Sequence, residues 1–79
     1  EHRYVRRGIV QALGEIGGGV ARKQIIQCLN DDEWGVRLYA AEALGKVGKP
    51  EHRIFLEKLL NDVHEWPRKE AEKSLKRIA

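Results

Sequence analysis

Apolar side chains recur at intervals of three and four through most of this chain. Between residues 36 and 47, Val36, Ala40, Ala43, Leu44 and Val47 fall on one side of a 3.6-residue helix. Tyr4, Val5, Ile9, Val10, Leu13 and Ile16 repeat that spacing at the start of the chain, and Phe55, Leu56, Leu59 and Leu60 form a shorter stripe further on. The punctuation between stripes is chemical. Asp31, Asp32 and Glu33 precede the central stripe, where carboxylates can cap free N–H groups and suit the helix dipole. Gly48 with Lys49-Pro50 closes it, and "GGG" at 17–19 breaks the earlier stripe at the equivalent place. The pattern predicts five helices, over about 3–16, 20–30, 33–47, 51–61 and 65–78.

Sliding the chain against itself by 31 residues pairs 48 positions, of which 13 are identical, where composition alone gives about three. Twelve of the matches are Val5/Val36, Arg6/Arg37/Arg68, Ala12/Ala43, Leu13/Leu44/Leu75, Gly14/Gly45, Gly17/Gly48, Arg22/Arg53, Leu29/Leu60, Asn30/Asn61 and Asp31/Asp62. Helical pairs that recur at this period form a solenoid, because each pair has a face too apolar for water and too small to bury alone. The expected architecture is all-α, a right-handed α-solenoid of about two and a half hairpins with five helices. Residues 1–79 form one domain, with repeats at about 1–31, 32–62 and a partial 63–79, and with the look of a piece of a longer array.

"DDEWGVRLYAAEALGKVG", followed by a helix ending in "LLND", resembles the short HEAT-like repeat of the phycobilisome-lyase type, over essentially the whole chain. That resemblance implies a scaffold that binds proteins. It also leaves room for a lyase-type or other enzyme-associated subunit, and less readily for a nucleic-acid binder.

Charge argues against the last of these. The net +3 divides into +3 over residues 1–23, −3 over 24–66 and +3 over 67–79, so basic ends flank an acidic middle. A phosphate-tracking surface needs a continuous basic stripe with stacking aromatics. A lone cysteine, Cys28, forms no internal disulfide, and no apolar run approaches the roughly 18 residues of a membrane span. A soluble, cytoplasmic protein is expected.

Candidate chemistry is sparse. Arg6, Arg37 and Arg68 keep their register with Asp31 and Asp62, which reads as a structural ladder in which an arginine fork fixes helix against the preceding turn. Gly14 and Gly45 sit inside helices at a cost of about 1 kcal/mol each, which close helix approach would offset. Some HEAT-repeat hydroxylases hold iron through His-Glu pairs directly after the Val-Arg of the first helix. The matching positions here read Arg7-Gly8, Leu38-Tyr39 and Lys69-Glu70, so no metal or other cofactor is expected. His64-Glu65 lacks a second pair, and Cys28 aligns with apolar Leu59 as a core position. "GGGVARK" lacks the ending of a phosphate loop and reads as a turn. No enzyme activity is expected.

Binding should therefore fall on the second helices, which line the concave face of such solenoids. Their outward residues are Arg22, Lys23, Ile26 and Gln27 in the first repeat and Arg53, Ile54, Glu57 and Lys58 in the second, with Ile26 and Ile54 as an apolar patch among charges. Trp34 is either a binding anchor or a lid over the seam between repeats. The charged last helix reads as a terminal cap. The apolar first helix points to upstream repeats or to a homo-oligomer.

Overall fold

A computed structural model describes residues 2–78. Five α-helices follow one another: α1 (His2–Ile16), α2 (Gly18–Cys28), α3 (Trp34–Val47), α4 (Arg53–Leu59) and α5 (Glu65–Arg77). The first helices α1, α3 and α5 stack side by side in one layer, and α2 and α4 pack across them in a second. The result is a slab of 35 × 28 × 15 Å. Among the described residues there is no strand, as a helical-hairpin repeat requires.

Both second helices start two residues away from the sequence pattern, for backbone reasons, and both end two residues before it. α2 begins two residues early because Gly17 and Gly18 take φ of 73° and 86°, turning the chain so sharply that the helix starts at once. α4 begins later because Pro50 opens a 3-10 turn, Pro50–His52, before the α-helix is established. His52 is part of that turn, its Nδ1 accepting the N–H of Lys49 at 2.8 Å. Both second helices end alike. The N–H groups of Leu29, Asn30 and Asp31 bond back three residues, and those of Leu60, Asn61 and Asp62 do the same.

The core lies along α3. Val36, Ala40, Leu44, Val10, Ile25, Leu56 and Ala71 are fully or almost fully buried there. Small residues set the spacing between layers. A Cβ added at Gly14 would stand 2.9 Å from Ala43 Cβ, and one at Gly45 would stand 2.5 Å from Ser74 Oγ. Each glycine admits the next first helix, which recovers its propensity cost through contact with the neighbour. Ser74 is the polar member of this seam, its buried hydroxyl donating to the Ala41 carbonyl at 2.7 Å.

Candidate partner-binding groove

The repeated arginines and aspartates form the frame. Arg37 Nε and Nη2 donate to Asp62 Oδ2 and Oδ1 at 2.7 and 3.1 Å, while Nη1 donates to the carbonyls of Asp31 and Asp32 at 2.7 and 3.0 Å. Arg6 grips Asp31 through the same pair of nitrogens, at 3.0 and 3.1 Å. Arg68 reaches back to the Asp62 carbonyl at 2.7 Å. The carbonyls thus come from the preceding turn, as the sequence suggests, but the carboxylate comes from the following one. Arg37 therefore fastens two successive loops, while Arg6 holds the first of them and Arg68 the second.

The aspartates are further engaged by their own turns. Asp31 Oδ1 accepts the Glu33 N–H at 2.9 Å, and Asp62 Oδ1 accepts the His64 N–H at 2.8 Å. Burial pushes the Asp31 carboxyl upward, but the Glu33 N–H and the Arg6 guanidinium outweigh it and hold the group below the ordinary carboxylate range. For Asp62 the same contest is won by Arg37, aided by the His64 N–H. Both carboxylates are spent on structure.

Above this frame lies a groove of about 520 Å³ between α2 and α4. Ile26, Leu29, Phe55 and Leu59 supply its apolar lining, and Asn30, Asp32 and Lys58 supply exposed polar groups, with Asp31, Arg37 and Asp62 at the loop end. Lys58 Nζ stands 5.9 Å from the centre of the Phe55 ring, so its stem covers one side of the aromatic. Among the described residues, its lining holds no Ser, Thr, Cys, His or Tyr. A half-buried apolar strip with a polar margin suits reversible binding of a side chain or a short helix.

Of the residues picked from sequence, Ile26 lines this groove. Lys23, Ile54 and Glu57 are exposed on the same second helices but outside its lining. Arg22 and Arg53 are drawn to the helix layer beneath. Arg22 Nη1 donates to the Val47 carbonyl at 3.4 Å, and Arg53 Nη1 donates to the Leu75 carbonyl at 2.7 Å and to that of Ile78. Both cap the C-terminal end of the next first helix. Trp34 stacks on His64 with ring centres 4.1 Å apart and 9° between planes, and the Arg7 guanidinium lies 5.6 Å from its indole. The ring thus bridges α1 to the start of α5 across the seam. Lys58, also an outward position in the sequence pattern, lines the groove as well, whereas Phe55 and Asp32 enter that pattern only as a core-stripe residue and a helix-capping carboxylate. Phe55 aligns with Gln24, and that apolar departure from the repeat is the signal that could have found it.

Beyond the groove, Arg7 pairs with Glu33 through Nε at 3.0 Å and Nη2 at 2.5 Å. Among the described residues, no three of His, Cys, Asp and Glu are grouped so as to hold a metal ion, and no helix is long and apolar enough to cross a membrane. A family model for HEAT repeats matches residues 1–76. No curated protein matches the chain.

Proposed function

We propose that this chain, a member of the HEAT-repeat family, is a non-enzymatic protein-binding module that receives its partner in the groove between α2 and α4. The observation that carries the reading is the contrast between the frame and the groove. Every repeated charge in the frame is spent on another part of the chain, whereas Ile26 and Phe55 leave apolar surface half open beside the exposed Asp32 and Lys58. Surface of that kind gains free energy by excluding water against a partner, at about 25 cal/mol per Å² of apolar area.

Scale sets the affinity. Two second helices of this length offer a few hundred Å² at most, against about 800 Å² per partner in a standard stable interface. Binding through this groove alone is reversible, in roughly the micromolar range or weaker. Exposed Ile54, Lys23 and Glu57 could widen the contact along α2 and α4.

The test places a photo-crosslinking residue at position 58 and follows the adduct with a partner protein in cell extract. Ile26→Asp, with helical circular dichroism unchanged, should abolish the adduct. Ile54→Asp reports how far the contact extends beyond the groove and should weaken the adduct only partly. Full retention of the adduct by Ile26→Asp would place binding elsewhere.

A further inference from the structure

The three first helices present the same face toward the N-terminal side of the stack, and only the first of these faces is open. On α1, Val5, Ile9 and Ile16 are 59, 53 and 75% exposed. Thirty-one residues on, Val36 and Ala40 are fully buried and Val47 packs against the core; after another 31, Pro67, Ala71 and Ile78 are buried. What covers them is the preceding first helix. In each interface a glycine is set tightly on a small residue, Gly14 on Ala43 and Gly45 on Ser74. Ala12 holds the position of Ala43 and Ser74 in the register and lies exposed.

We infer that the outer face of α1 is a docking surface for the first helix of another hairpin of this same repeat, one that carries glycine opposite Ala12. The argument is continuity: the interface formed by α1 with α3 and by α3 with α5 extends to a third position, with the receiving side already built. Aliphatic residues one turn to either side of Ala12 complete the match, and an exposed apolar strip of this kind favours coverage.

A second copy of the chain is the weaker occupant. Stacked head to tail, it would offer the outer face of α5, where Glu72 and Lys76 stand in the places of Val10 and Gly14 in α1 and of Ala41 and Gly45 in α3. A lysine cannot enter a contact that a single added Cβ would crowd. Paired face to face, two α1 helices of 15 residues, roughly 22 Å long, would share on the order of 200 Å² per chain, far below a stable dimer interface.

The experiment joins a second copy of residues 32–62 in front of residue 1. The added Gly45 then precedes Ala12 by 29 residues, the separation between Gly14 and Ala43 and between Gly45 and Ser74. The extended chain should melt about 10 °C or more above the original, and exchange of α1 amides should slow by at least about tenfold. Ala12→Glu should remove most of that rise in the extended chain, while moving the midpoint of the original chain by less than about 2 °C. An unchanged midpoint on extension, or a rise that survives Ala12→Glu, would overturn the inference. So would sedimentation of the original chain as a dimer at about 0.1 mM that Ala12→Glu dissociates, since a second copy would then be the occupant.

Discussion

Arg37 holds both carboxylate oxygens of Asp62, at 2.7 and 3.1 Å, across a separation of 25 residues. Its remaining nitrogen is taken by the carbonyls of Asp31 and Asp32, so a single guanidinium joins the loop before α3 to the loop before α5. The geometry needs a planar fork with several donors, which lysine cannot supply. Because Asp62 in turn accepts the His64 N–H, the contact also sets where α5 begins.

Removing that fork should be costly, since it leaves Asp62, whose side chain is only 7% exposed, without its charge partner. Arg37→Ala is expected to destabilise the chain by about 3 kcal/mol in urea unfolding. Arg37→Lys should recover only a minor part. Arg6→Ala, in a pair that water reaches more freely at 41% and 18% exposure, should cost about 1 kcal/mol. Equal losses at the two positions would mean that the loop carbonyls and the burial of Arg37 contribute little.

The same frame dictates the response to acid. Asp31, Glu33 and Asp62 are each pushed up by burial, but arginine and backbone N–H partners win and leave each folded-state carboxyl below its ordinary value. Groups depressed in this direction stabilise fully above the unfolded-state values near 4, and the contribution fades as pH falls through the folded-state values. Unfolding free energy should therefore be flat near neutrality and drop below about pH 4. Asp62→Asn should be less stable at pH 7 and show a shallower acid slope. An acid slope as steep as that of the parent would assign the effect to other carboxylates.

Much of this molecule is legible in its sequence because the repeat states each contact more than once. The 31-residue register shows the helical hairpins, and the recurrence of Arg6, Arg37 and Arg68 beside Asp31 and Asp62 points to the ladder. Which loop supplies the carboxylate is not legible, because spacing along the chain does not say how far a guanidinium reaches across the stack. Arg22 and Arg53 mislead for the same reason. They lie among outward positions of the second helices, yet their long stems carry the charge down to helix-end carbonyls of the other layer. The groove is hardest to see. It arises where Ile26 and Phe55, from different registers of two helices, come to line one space, and no single-helix stripe contains both.

Cys28 gives a check on the layer beneath the groove. Burial raises its thiol, and the negative charge of Asp31 raises it further, with Arg6 offsetting part of the effect. Less thiolate is present at mildly alkaline pH than in an unfolded chain, and access is restricted as well. Reaction with a thiol-disulfide reagent at pH 8 should be at least about tenfold slower in the native protein than in urea. Asp31→Asn should speed the native reaction by lowering the thiol's pKa and loosening its surroundings. Equal rates in native and unfolded chains would show that the end of α2 is open to solvent.

The seam between α3 and α5 permits a stricter test, because opposing effects meet at one position. Within an exposed helix, Gly45→Ala would stabilise by about 1 kcal/mol through backbone propensity. Here the added Cβ would meet Ser74 Oγ at 2.5 Å and Ser74 Cβ at 2.7 Å, closer than such atoms ever stand. α5 must therefore shift, which strains the Ser74 bond to the Ala41 carbonyl and opens the packing around Ala71. Overpacking should win, with a net loss of about 2 kcal/mol and a melting midpoint lower by roughly 10 °C. Ser74→Gly combined with Gly45→Ala should return part of the loss by moving the small residue to the opposite helix, although Ser74 Cα at 3.1 Å keeps the fit tight. If Gly45→Ala alone raises the midpoint, the two helices are free to separate, and close approach is not what the repeated glycine provides.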